Sequence, residues 1–245
     1  MRFLTQYFEL TRLQLLSMRS DVFIISLINI AFVAGFIFGF GYLFGDVSSR
    51  AGAFLTTGVA TNAIIVVGLT MMPQFLAEAK QQGRLDYFRS LPISREAYIL
   101  SLLTVVLVLS LPGIVLGLLT GWWRYDVSFD ISPVILLVVP LAVLSLGGFG
   151  AAIAILSPRL QLTNAISQLS IFYFIFFAPV LLPRENLPTA LQRTADLLPP
   201  TYAADAVRAS LTDLEGTHLE RSLLVLLGFA VASIAVAAAS IRRRA

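Results

Sequence analysis

The chain has 245 residues, 58% of them hydrophobic and 13% charged, with a formal net charge of +3. Soluble domains carry about 25% charged residues, so this composition excludes a soluble globular domain and places the chain in a membrane. Cysteine is absent and histidine occurs once, at His218, which excludes a disulfide framework, a thiolate metal site and a histidine metal cluster.

Residues 1–21 come first in chain order. Phe3, Leu4, Tyr7, Phe8, Leu15 and Met18 recur at helical spacing, while Arg2, Thr5, Gln6, Glu9 and Arg12 fall on another face. A helix patterned in this way lies in the membrane interface with its apolar side in lipid. Long apolar runs follow. A span needs about 20 apolar residues at about 1.5 Å rise to cross about 30 Å of hydrocarbon. Six runs meet that length, near 22–44, 53–76, 97–120, 132–157, 161–182 and 221–241. They are too long and unbroken for barrel strands, so residues 22–245 are expected to form one all-α domain of six transmembrane helices. No small-residue cleavage site follows the first run, which therefore reads as a retained span and not a signal peptide.

With six spans both termini share a side. That side holds eleven of the seventeen basic residues and five acids; the other holds six basic residues and nine acids. Basic residues favour the cytoplasmic side, so both termini are placed in the cytoplasm and the protein in the inner (plasma) membrane. The segment 183–220, which includes "LLPPTYAADAVRASL", then lies outside, and its apolar residues and paired prolines predict short helices packed against the outer mouth between the fifth and sixth spans. Asp205 and Arg208, at i and i+3, could pair there, either as an outer gate or as a plain surface ion pair.

No Asp, Glu, Lys, Arg or His lies well inside any of the six runs. Proton relays and ion pathways are built from such groups, so their absence argues against a proton-driven antiporter and an ion channel. The polar content is neutral: Asn29, Asn62, Gln74, Asn164, Gln168 and Tyr173, with scattered Ser and Thr. These are either hydrogen-bond partners between helices or contacts to a cargo, with Asn29, Asn62, Asn164 and Gln168 as the candidates for the pathway. Gly35 and Gly39, and Gly147 and Gly148 with Ala151 and Ala152, offer small faces for close helix packing, and Pro112 and Pro140 sit inside spans. An apolar route with a few neutral donors suits an amphipathic or lipophilic cargo. Nothing in the chain supplies the energy to move it, since Lys80 lies in no glycine-rich phosphate loop. No protease constellation is present either, so no catalytic site is expected.

The most charged stretch is "QQGRLDYFRSLPISREAY", Gln81 to Tyr98, on the cytoplasmic side. Gly83 can end the second span, Leu85, Phe88 and Leu91 recur at spacing three, and Arg84, Asp86 and Arg89 decorate the rest. Pro92 stops this short helix and Ser94 is placed to cap the next one. The apolar triplet within a tight Gly-to-Pro frame predicts a docking surface for a cytoplasmic partner, beyond a loop that only sets topology.

This stretch resembles the cytoplasmic coupling-helix segment of permeases in the type 2 ABC exporter family, at Gly83, Leu85, Asp86, Leu91, Pro92, Ile93, Ser94 and Arg95. The external "LLPPTYAADAVRASL" is similar to a second stretch of that family through Pro199, Thr201, Tyr202, Asp205, Ala206 and Arg208. Gln81 and Gln82 stand where the family has an acidic residue, a role Glu78 could take one turn earlier, and Arg84 replaces a common Thr. The resemblance implies a permease subunit of an ATP-driven exporter that works with a second permease copy or homologue in the lipid bilayer. ATP and Mg would be bound by a separate ABC-type ATP-binding subunit, with no cofactor in this chain and no nucleic-acid partner. That subunit would dock on Glu78, Gly83, Arg84, Leu85, Asp86, Phe88, Arg89 and Leu91, and Tyr202, Asp205 and Arg208 would stand at the outer gate. A proton-coupled exporter and a non-transporting membrane scaffold are the competing classes.

Overall fold

The computed structural model describes residues 2–17, 19–44, 48–84, 94–181, 183–186, 188–214 and 216–243. Every regular element among them is helical: α1 (Arg2–Ser17), α2 (Arg19–Phe44), α3 (Ser49–Gln81), α4 (Arg95–Tyr125), α5 (Ile135–Leu156), α6 (Leu160–Phe177), a 3-10 turn (Arg184–Asn186), α7 (Thr189–Ala195), α8 (Pro199–Leu211) and α9 (Leu219–Arg243). Four of these, α3 to α6, are long and apolar enough to cross a membrane, and α2 contributes a shorter apolar run, Phe23–Gly39. Leu85, Asp86, Phe88, Arg89 and Leu91 of the predicted docking helix lie outside the described residues.

α3 is the centre of the bundle. It packs against α2, α4, α5, α6 and α8, and 89% of its apolar stretch is buried. Small residues make that density possible. A Cβ on Gly58 would strike the Val180 carbonyl, and one on Gly121 would strike the Thr56 side chain. The second predicted small face is used likewise, because a Cβ on Gly147 or Gly148 would come within 2.7 Å of Leu103 or Ser233. Gly35 and Gly39 differ: nothing within the described chain lies near the place a Cβ would take on either. The hydroxyls in the spans are largely satisfied by their own helices, as with Thr57 donating to Ala53 O at 2.8 Å and Thr104 to Leu100 O at 2.9 Å. Such back-bonding removes the cost of a free hydroxyl among apolar side chains.

The helix ends follow their local chemistry. Ser48 caps α3, accepting from the Ala51 N–H at 3.4 Å. α3 runs well past the apolar run to Gln81, where Gln82 N–H bonds Glu78 O at 2.9 Å and Gly83 takes a left-handed φ of +70°. Glycine takes that left-handed conformation after a last turn without a steric cost. Lys80 Nζ donates to Ser157 O at 2.7 Å, tying the end of α3 to the end of α5. Ser94 caps α4 through the Ala97 N–H at 3.2 Å. α6 stops at Phe177, short of the predicted 182, and Pro179 follows directly after its cap.

α1 is a separate helix with Leu4, Phe8, Leu13 and Leu16 exposed. Three side-chain bonds fix it to α4 and the residue before α4. Gln6 Oε1 accepts the Ser94 N–H at 3.1 Å, the Tyr7 hydroxyl meets Thr104 Oγ1 at 2.7 Å, and Gln14 Nε2 donates to Ser101 Oγ at 2.9 Å.

Candidate functional site

The segment between α6 and α9 closes one end of the bundle. α8 opens with Pro199 and Pro200, where the missing N–H groups cost nothing, and most of its residues are buried against α3, α5 and α9. Its C-terminal end is held by the segment before α5, through Asp130 N–H to Leu211 O at 3.0 Å and Ser132 N–H to Ser210 O at 2.9 Å. Its N-terminal end is held to α7, through Thr201 Oγ1 to Ala195 O at 2.7 Å and the Tyr202 hydroxyl to Asp196 O at 2.8 Å. A rigid helix therefore presents Tyr202, Asp205 and Arg208 to the interior of this end.

Arg208 is 2% exposed and is the largest fully buried side chain among the described residues. Its Nη1 donates to Pro179 O at 3.1 Å and lies 3.4 Å from Asp205 Oδ1; its Nη2 donates to Val180 O. The guanidinium also lies 3.6 Å from the ring centroid of Phe54 in α3. One side chain thus joins α8, the exit of α6 and the start of α3. Burial pushes its pKa down to about 10, with Asp205 working against that shift, so it stays charged at neutral pH. Asp205 is one-third exposed, and burial raises its pKa above the ordinary carboxylate value, with Arg208 the first of the charges opposing this. The Asp205–Arg208 pair anticipated from the spacing is present, but Arg208 is buried, so it is not a surface pair. The carbonyls and the ring that hold Arg208 come from elsewhere in the chain and left no mark in the local pattern.

The four pathway candidates separate into two pairs. Asn29 and Asn62 are buried, 4% and 1% exposed, and neither side-chain amide finds a hydrogen-bond partner among the described residues. Asn29 is pressed against Gly113 of α4, where a Cβ would meet its Oδ1. Neither Asn29 nor Asn62 therefore opens onto the surface of the chain in this conformation. Asn164 and Gln168 are exposed on α6, where Gln161 joins them at the same helical face. α6 buries only a stripe of Thr163, Ser167, Ile171 and Phe174.

At the opposite end, Gln74 Nε2 donates to Glu78 Oε1 at 3.1 Å, Glu78 is half-buried, and Arg84 is exposed just beyond the Gly83 turn. The structure does not bring these residues together with Tyr202, Asp205 and Arg208.

A sequence-family model described as ABC-2 type transporter matches residues 5–212, from α1 to the end of α8. No curated protein matches the chain.

Proposed function

Because the chain belongs to the ABC-2 type transporter family, a family of multi-pass membrane permeases, we propose that it is the permease subunit of an ATP-driven exporter for an amphipathic or lipophilic cargo. In this reading α2 and α9 complete six spans with α3 to α6, both termini lie in the cytoplasm of the inner membrane, and residues 22–245 form one domain. ATP and Mg are held by a separate ATP-binding subunit coupled through the 81–95 cytoplasmic segment.

The observation that carries the transport reading is α6. It is long and apolar enough to span, yet only 22% of that stretch is buried, and its open face carries Gln161, Asn164 and Gln168 at i, i+3 and i+7. Three amides facing lipid tails would each cost free energy, because hydrocarbon offers no hydrogen bonds. A second permease copy across a polar-lined path relieves that cost, which makes Asn164 and Gln168 the favoured pathway residues over Asn29 and Asn62. The Tyr202, Asp205 and Arg208 cluster stands at the other end of the same exit, as an outer gate, since Arg208 holds the carbonyls that follow α6.

The test is the coupling surface. Leu85→Asp with Phe88→Asp should leave the protein inserted and folded but abolish the ATPase stimulation that the permease gives its co-expressed ATP-binding subunit. Stimulation unchanged in the double variant would sink the docking claim.

A further inference from the structure

α5 ends at Leu156 and α6 starts at Leu160, so only Ser157, Pro158 and Arg159 join them. Neither helix secures this turn with its own side chains. α5 has no basic residue in its last turn, and α6 has no side-chain cap at its start. The last carbonyls of a helix lack intrahelical partners and carry the negative end of its dipole, so a cation placed there is favoured. Lys80, from the last turn of α3, supplies one. Its Nζ donates to Ser157 O at 2.7 Å and to Ile155 O at 3.4 Å. Ser157 is buried and Lys80 half-buried, which limits the competition from water at this bond.

Two residues further on, Arg159 O accepts the Thr163 N–H at 3.1 Å and the Thr163 hydroxyl at 3.2 Å. The first turn of α6 is therefore hooked onto the same short turn that Lys80 holds. Along its own length α6 buries only Thr163, Ser167, Ile171 and Phe174, so its position depends heavily on that end. On the other side, Lys80 stands one residue before Gln81, where the cytoplasmic segment begins. The last turns of α3 are continuous up to it, with Gln74 bonded to Glu78 and the Gln82 N–H closing on Glu78 O. A single side chain thus connects the root of the cytoplasmic segment to the root of α6.

We infer that Lys80 is a positioning residue for transport. It passes displacement of the 81–95 segment to the α5–α6 turn, and so sets the angle at which α6 presents Gln161, Asn164 and Gln168. This rests on the permease reading and names the side chain that joins its docking segment to its pathway helix.

The experiment is hydrogen–deuterium exchange read by mass over residues 157–165. It is made on the full-length chain in an uncharged detergent, then on its complex with the co-expressed ATP-binding subunit. In the chain alone, Lys80→Met keeps the length of the side chain and removes its charge and donors. Exchange over 157–165 should quicken by about tenfold or more, the factor that loss of one charge-assisted hydrogen bond gives. Lys80→Arg should stay near wild type. Equal exchange in wild type and the methionine variant would overturn the tie, whatever the chain does.

In the complex, ATP with vanadate should change exchange over 157–165 in wild type and in Lys80→Arg. In Lys80→Met that response should vanish although the two subunits still co-purify. An undiminished response in the methionine variant would make Lys80 a structural tie only and overturn the positioning role, leaving the permease reading intact. A wild-type complex with no response over 157–165 would overturn the role as well, while docking itself is read separately by the Leu85/Phe88 pair. Should the methionine variant fail to fold, Lys80→Gln, shorter and uncharged, carries the same two expectations.

Discussion

Replacing Arg208 with methionine tests whether one buried cation holds the α6 exit, α8 and α3 together. Methionine matches its length and is apolar, so the change removes charge and donors without opening a large cavity. Two charge-assisted bonds to Pro179 O and Val180 O are lost, about 1.5–3 kcal/mol each, together with a desolvated contact to Phe54 worth about 2 kcal/mol. Against this, a pKa pushed from 12.5 to about 10 means that folding works against the charged form, which the variant no longer carries; at about 1.4 kcal/mol per unit this returns about 3 kcal/mol. The net loss is about 2–5 kcal/mol. For a chain of this size each kcal/mol moves Tm by about 2–4 °C, so calorimetry of the purified protein in detergent should show a fall of about 10 °C. Arg208→Lys keeps the charge but not the planar fork, and should fall between. A methionine variant within about 2 °C of wild type, or above it, would refute the reasoning, since the desolvation cost would then have cancelled every contact.

Asp205→Asn probes the partner. The folded pKa of Asp205 is raised, so its contribution to stability is fully present below the unfolded value of about 3.8 and is lost as pH rises through the folded pKa. The asparagine variant should therefore melt at or above wild type at pH 7, with the difference closing as pH falls toward 4; a difference that widens on acidification would contradict this. Gly113→Ala drives a methyl into Asn29 and should cost about 1–3 kcal/mol, whereas Asn29→Ala with Gly113→Ala should recover much of it. Thermal unfolding of the four-member cycle measures the coupling, and strictly additive losses would show that the two side chains do not meet.

The parts of this fold that were legible in the sequence are those written in contiguous residues. Apolar runs near 53–76, 97–120 and 132–157 announced helices α3, α4 and α5 because length and hydropathy alone decide that a segment leaves water. Ser94 and Gly83 announced a start and a stop, since capping is a matter of a few neighbouring residues. Helix ends depart from the apolar runs at two places: α3 continues to Gln81, where Lys80 is tied to the end of α5, and α6 stops at Phe177 because Pro179 follows its cap, a local signal that the length of an apolar run does not carry. The site was legible only as a pair, Asp205 with Arg208. That Arg208 sits beneath Phe54 and holds Pro179 and Val180 depends on which loops meet at one end of the bundle, and no spacing rule reports that. The same holds for Asn29: the sequence shows an amide in a span, but only packing shows it wedged against Gly113.

The three bonds between α1 and the start of α4 have a mechanical consequence. α1 is a rod of about 24 Å at about 1.5 Å per residue, fastened to α4 and to the backbone of Ser94 itself. Ser94 is the residue through which the 85–93 segment hands its position to α4. A load applied to that segment would therefore be shared by two members at once, with α1 acting as an outrigger that resists tilting of α4 instead of a loose tether to α2. The bonds of Gln6, Tyr7 and Gln14 all lie at that joint, so a displacement of the first turns of α4 would carry α1 with it.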